Sequence, residues 1–141
     1  MFKTLDHYVA SVRPVHVLVG AGLSISYMVA ELTSREIAPW YFNHAGNAGT
    51  AYLIAAASSY AVALVTRRNN ADTDPFVKES ISTGSGLMAG VAITAVIESP
   101  YLNEQLDRVS DPNDIIFGVA GAIIGATTLS IRRMDANDRS D

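Results

Sequence analysis

The feature that most constrains this chain is a set of four long apolar runs, Val15–Leu32, Ala45–Thr66, Ile81–Ile97 and Ile115–Ile131, with nearly all the charge between them. A helix crossing a bilayer core needs about 20 mostly apolar residues, within a working range of about 17–25. All four runs fall in that range. None has the alternation of a half-buried strand or the charged stripe of a surface helix. The second run carries only small polar groups, namely Asn47, Thr50, Ser58 and Ser59, and the third and fourth are rich in Gly, Ala, Ser and Thr. The expected fold is all-α: a single integral membrane domain over residues 1–141 built as a four-transmembrane-helix bundle.

The five prolines support this division. Pro14, Pro39, Pro75, Pro100 and Pro112 all lie outside the runs, where a missing N–H and a fixed φ leave a helical ladder intact. A secretory signal peptide is the competing reading of the first run, but no small-x-small cleavage site follows it, so it is read as a retained span. A soluble, fully buried bundle is the other competitor. Against it, the chain offers too few amphipathic helices to cover a core.

Basic residues orient the spans. Lys3 and Arg13 precede the first run, Arg67, Arg68 and Lys78 lie between the second and third, and Arg132, Arg133 and Arg139 follow the fourth. The two remaining connections hold only Arg35 and Arg108. Eight of the ten Lys and Arg residues thus fall on one side, and basic residues in short loops stay cytoplasmic on insertion. The expected topology is N-in and C-in, in a cell inner or plasma membrane. Trp40, Tyr41 and Phe42 fall at the outer end of the first loop, at headgroup level.

Composition excludes several functions. Charged residues make up 17% of the chain and the net charge is −4, so no basic footprint exists for a nucleic acid. Cysteine is absent, which removes disulfides, thiolate catalysis and Cys-based metal sites. There is no Gly-x-Ser-x-Gly elbow, no His-Glu-x-x-His and no phosphate-cradling loop. No catalytic residue, metal ligand or cofactor is assigned.

Helices in lipid associate through close backbone approach. Gly86 and Gly90 are spaced by four, and Gly118, Gly121 and Gly125 follow in the fourth run. These stripes suit packing of spans three and four within the chain. They also suit a seam in a homo-oligomer or larger membrane complex, as in a holin-like pore or an accessory subunit. The second run, with Ala and Ser on every face, suits the central helix.

The unusual polar residues sort to the outer face: His44 at the start of span two, Glu98 closing span three, Arg108 in the third loop and Asp114 before span four. Asn43, Asn47, Gln105 and Asn113 join them. Ser110-Asp111-Pro112-Asn113-Asp114 offers several helix caps, and Arg108 is the natural partner for Glu98. His16 reads as an interfacial histidine and Tyr27 as a packed tyrosine.

The spacing Arg108-x5-Asp114-x3-Gly118-x2-Gly121-x3-Gly125, preceded by an acidic residue closing a span, resembles the VanZ-like family of small membrane proteins. His44 is similar to the histidine near the start of that family's second span, and Tyr52 falls in the region of its aromatic partner. The likeness covers roughly Tyr41 to Gly125. It implies a four-span protein of the cell envelope, in a family linked to low-level glycopeptide resistance of the teicoplanin type. On that reading His44, Glu98, Arg108 and Asp114 form an outer ligand-binding cluster beside membrane lipids. Arg108 holds an anionic headgroup, and His44 and Glu98 exchange protons or bind a metal.

Overall fold

The computed structural model describes residues 8–32, 39–69, 73–105, 109 and 111–133. They form strand β1 (Tyr8–Val12), helices α1 (Pro14–Leu32), α2 (Pro39–Asn69), α3 (Pro75–Ile97), α4 (Pro100–Gln105) and α5 (Pro112–Ala126), and strand β2 (Leu129–Arg133). Each of these helices begins at one of the five prolines. Proline suits a first helical position because that N–H has no intrahelical acceptor and the fixed φ is already helical. Caps complete two of the starts. The Asp74 carboxylate accepts from the Phe76 N–H at 2.7 Å and the Asp111 carboxylate from the Asn113 N–H at 2.9 Å.

α2 and α3 each hold an apolar stretch of 23 residues, His44–Thr66 and Pro75–Ile97, long enough to cross a membrane. The expected boundaries shift in three places. Trp40, Tyr41 and Phe42 belong to the first turns of α2 rather than to a loop, and Lys78 lies in the first turns of α3. The run Ile115–Ile131 is not one helix: α5 stops at Ala126, and Leu129–Ile131 belong to β2. The stop is local chemistry. The Thr127 and Thr128 hydroxyls donate back to the carbonyls of Ile123 and Ile124 at 2.7 and 2.8 Å, and the Arg13 N–H takes the Thr128 carbonyl at 2.8 Å.

β2 then pairs antiparallel with β1, Val12 opposite Leu129 and Tyr8 opposite Arg133. This ribbon, absent from the helical expectation, joins the two ends of the described chain. Glu79 locks it to the bundle, one carboxylate oxygen accepting from the Ile131 N–H at 3.1 Å and the other from the Arg13 guanidinium at 3.2 Å. Arg13 also donates to the Thr127 carbonyl at 2.8 Å.

Helix directions follow from the contacts. Gly20 meets Tyr52 and Ser24 meets Gly49, so α1 and α2 are antiparallel. Gly86 meets Ser59 and Glu98 meets Asn47, so α2 and α3 are antiparallel. Gly121 meets Ala48 and Gly125 meets Tyr52, so α5 runs parallel to α2. α1, α3 and α5 all pack on α2, which is therefore the central helix its alanines and serines suggested.

Glycine makes that packing possible. The buried face of α3 is Lys78, Ser82, Gly86, Gly90 and Thr94, a strict spacing of four. A Cβ on Gly90 would stand 2.6 Å from the Ala122 methyl, and one on Gly121 would stand 2.7 Å from the Ala48 carbonyl carbon. Gly86, Gly90, Gly118, Gly121 and Gly125 all face other helices of the same chain.

Side-chain sizes are inverted relative to a water-soluble bundle. The interior cluster is Ala51, Ala55, Ala122 and Ala126, flanked by Leu87 and Ile93. Large apolar groups lie outside: Leu18 is 72% exposed, Leu64 66% and Met88 76%. Soluble domains bury such residues and rarely expose contiguous apolar surface.

Candidate functional site

Parallel alignment of α2 and α5 places their N-terminal turns side by side, and α3 arrives between them by its C-terminus. Polar groups from all three helices meet there. The His44 Nδ1 and the Asp114 Oδ1 lie 2.5 Å apart, and both residues are buried. His44 Nε2 stands 3.9 Å from the Asp111 Oδ2. The imidazole stacks on the Phe117 ring at 5.3 Å between centroids and 26° between planes. One turn along α2, Asn47 donates from Nδ2 to the Glu98 Oε1 at 2.8 Å.

Each placement has a local cause. His44 and Asn47 are three apart on α2, so they share a helical face. Asp114 is in the first turn of α5, where unsatisfied N–H groups and the positive dipole end favour a carboxylate. It is Asp111, however, that caps the helix, which leaves the Asp114 side chain for His44. Phe117 lies three residues beyond Asp114 on the same face. Glu98 is the C-cap of α3, its N–H donating to the Thr94 carbonyl at 3.0 Å. Its own carbonyl accepts from the Asn103 Nδ2 at 3.2 Å, which ties α4 back onto the end of α3.

Of the four residues singled out in the sequence, His44, Glu98 and Asp114 come together around the start of α2. Arg108 lies outside the described residues, and so does any pairing of it with Glu98. Asn47, one of the accompanying residues, is a direct partner of Glu98. Gln105 and Asn113 are exposed and make no side-chain contact to the cluster among the described bonds. Two participants escaped the sequence reading. Asn103 could have been found from its place five residues after Glu98 in a proline-started turn, and Phe117 from its helical spacing to Asp114. At the far end, His16 Nδ1 lies 3.1 Å from the Thr127 hydroxyl, a contact between the start of α1 and the C-cap of α5.

Chemically, the described groups are one imidazole, three carboxylates and two amides. Asp114 and Glu98 each hold a partner on α2, so the cluster binds α5 and α3 to the central helix. No three His, Asp or Glu side chains among the described residues are arranged to hold a metal ion. Protein-family models, curated proteins and solved structures give no match to this chain.

Proposed function

We propose that this chain is a VanZ-like, multi-pass membrane protein of the cell envelope whose cluster around His44 receives a lipid or envelope headgroup. The observation that carries this reading is the gathering of His44, Asn47, Glu98 and Asp114 at one end of a bundle whose central cluster is Ala51, Ala55, Ala122 and Ala126. Buried ionisable groups in a lipid-embedded bundle are costly and mark functional positions. The carboxylates suit the amine or hydroxyl of a headgroup, while capture of its anionic part falls to Arg108.

Membrane insertion is supported by the inverted arrangement of large and small side chains and by the two 23-residue apolar stretches. With 19 and 15 residues, α1 and α5 reach about 28 and 22 Å at about 1.5 Å per residue. The shorter length is accommodated by local thinning of the bilayer. Four crossings with both ends on the arginine-bearing side agree with the β1–β2 pairing, which keeps residues before α1 and after α5 at one end. The cluster then sits at the opposite, outer face.

The test is to substitute Glu98→Gln and Asp114→Asn separately and score glycopeptide susceptibility of cells expressing each variant. Loss of protection by properly inserted variants is expected. Full protection by both would overturn the headgroup site.

A second reading, an accessory subunit of a membrane complex, is favoured by α1. It packs on α2 and α5 only along one side and leaves Val15, Leu18, Ile25, Met28 and Leu32 exposed. The glycine stripes do not supply a seam for such assembly, because their faces are covered within the chain. Mass measurement after gentle detergent extraction separates the readings: a monomer favours the first and a defined complex the second.

A further inference from the structure

α5 stops at Ala126, yet nothing in the residues that follow bars a further turn. Thr127-Thr128-Leu129-Ser130-Ile131-Arg132-Arg133 contains no Gly, Asn or Pro, the usual marks of a helix end. The Thr127 and Thr128 hydroxyls bond back to carbonyls four residues earlier, but such bonds also form inside continuous helices.

The helix is interrupted by an ion pair lying across one rung of its ladder. In a continued α-helix the Ile131 N–H would donate to the Thr127 carbonyl, four residues back. Instead the Ile131 N–H donates to Glu79 at 3.1 Å, and the Thr127 carbonyl accepts from the Arg13 guanidinium at 2.8 Å. Arg13 and Glu79 are themselves paired at 3.2 Å. The next carbonyl, that of Thr128, is taken by the Arg13 backbone N–H at 2.8 Å. β2 is otherwise held by its pairing with β1 and by the packing of Leu129 and Ile131 on Ala63 and Tyr60. A two-stranded ribbon by itself is only marginally stable.

A track for a longer α5 is already present. Gly121 lies on Ala48 and Gly125 on Tyr52, and α2 runs on past that point to Asn69. Leu129 follows Gly125 at the same spacing of four. α5 as it stands reaches about 22 Å, and continued to Arg133 it would reach about 33 Å at about 1.5 Å per residue. A hydrocarbon core is about 30 Å thick, and each ångström of mismatch adds to the strain on protein and lipid.

We propose that residues 127–133 form a helix–strand switch that responds to bilayer thickness, with Arg13 and Glu79 as its latch. In a thin bilayer the latch holds the ribbon; in a thick one the segment joins α5, and the Ile131 N–H passes from Glu79 to the Thr127 carbonyl. The inference rests on the membrane insertion proposed above and on no part of the headgroup site.

The experiment reconstitutes the full chain into vesicles of dimyristoleoyl, dioleoyl or dierucoyl phosphatidylcholine, in order of increasing thickness. Flotation with the vesicles establishes insertion. Ser11→Cys with Ser130→Cys, opposed in the ribbon, reports the strand state by disulfide yield on mild oxidation. The Cα chemical shift of isotopically labelled Ile131, assigned by Ile131→Val, reports helix or strand in the chain without cysteines. From the thinnest to the thickest lipid the disulfide yield is expected to fall about threefold or more, as mismatch strain grows, and the Ile131 shift to move to helical values. Glu79→Ala is expected to bring both changes forward to a thinner lipid. A yield that falls without a helical shift means fraying and overturns the switch, as does an inserted chain that reads the same in every lipid. A chain that does not float with the vesicles overturns the insertion itself and the switch with it.

Discussion

His44 and Asp114 are 70 residues apart in the chain and 2.5 Å apart in the fold, a buried pair that joins the N-terminal turns of two parallel helices. The pair exists because α2 and α5 run the same way, which an up-down-up-down chain arranges only for alternate helices. α4 is tied back to the end of α3 by the bond from the Asn103 Nδ2 to the Glu98 carbonyl. The imidazole, held against Phe117 as well, has little freedom to leave.

Removing one partner strands the other. Asp114→Ala is expected to destabilise the chain by about 1–3 kcal/mol, the cost of leaving a buried polar group unsatisfied. Denaturant unfolding in detergent measures it, and a cycle with His44→Ala should return a coupling comparable to the single effect. Additive effects would mean that the contact contributes nothing.

The glycines predict a sharp contrast between positions. Gly121→Val drives a side chain into the Ala48 backbone, and close-packed interiors do not absorb such volume, so little folded protein is expected. Gly84→Ala and Gly22→Ala meet nothing within 4 Å and replace a poor helix former with the best one, a gain of about 0.5–1 kcal/mol. Yield of monodisperse protein and its Tm report both outcomes.

Glu79 and Arg13 form one ion pair, yet their removal is not equivalent. Arg13 is 44% exposed in its side chain, where solvent screening leaves such a pair worth about 0–1 kcal/mol. Glu79 also accepts the Ile131 N–H in a part-buried bond, whereas the second bond of Arg13, to the Thr127 carbonyl, is exposed to water. Glu79→Ala is therefore expected to lower stability more than Arg13→Ala and to speed amide exchange at Ile131. Equal effects would reduce Glu79 to a surface charge.

The absence of cysteine gives a clean background for cross-linking and topology. Ser11→Cys with Ser130→Cys, opposed in the ribbon, should form a disulfide on mild oxidation, whereas Ser11→Cys with Thr50→Cys should not. In intact cells, an impermeant maleimide should label Val109→Cys directly and Thr73→Cys only after permeabilisation. Labelling of both from outside would reverse or abolish the proposed crossing pattern.

Much of this protein follows from the chain read in one dimension. Each helix start was marked by proline, since a residue without an N–H fits where no intrahelical acceptor exists. Helix identity followed from apolar runs too long for strands, and the glycine spacing announced close approach. Which faces would meet was not encoded locally. Gly86, Gly90 and Gly121 are smooth toward any neighbour, and only the assembled bundle turned them toward α2. Leu129 and Ile131 read as the end of a helix because their hydrophobicity suits helix and strand equally. Their fate was decided by β1, more than 110 residues earlier, whose backbone groups completed a ladder that α5 had given up at Thr127. Likewise Glu98 carried no sign that its partner would be Asn47, because polar pairing depends on distances that only the packed helices fix.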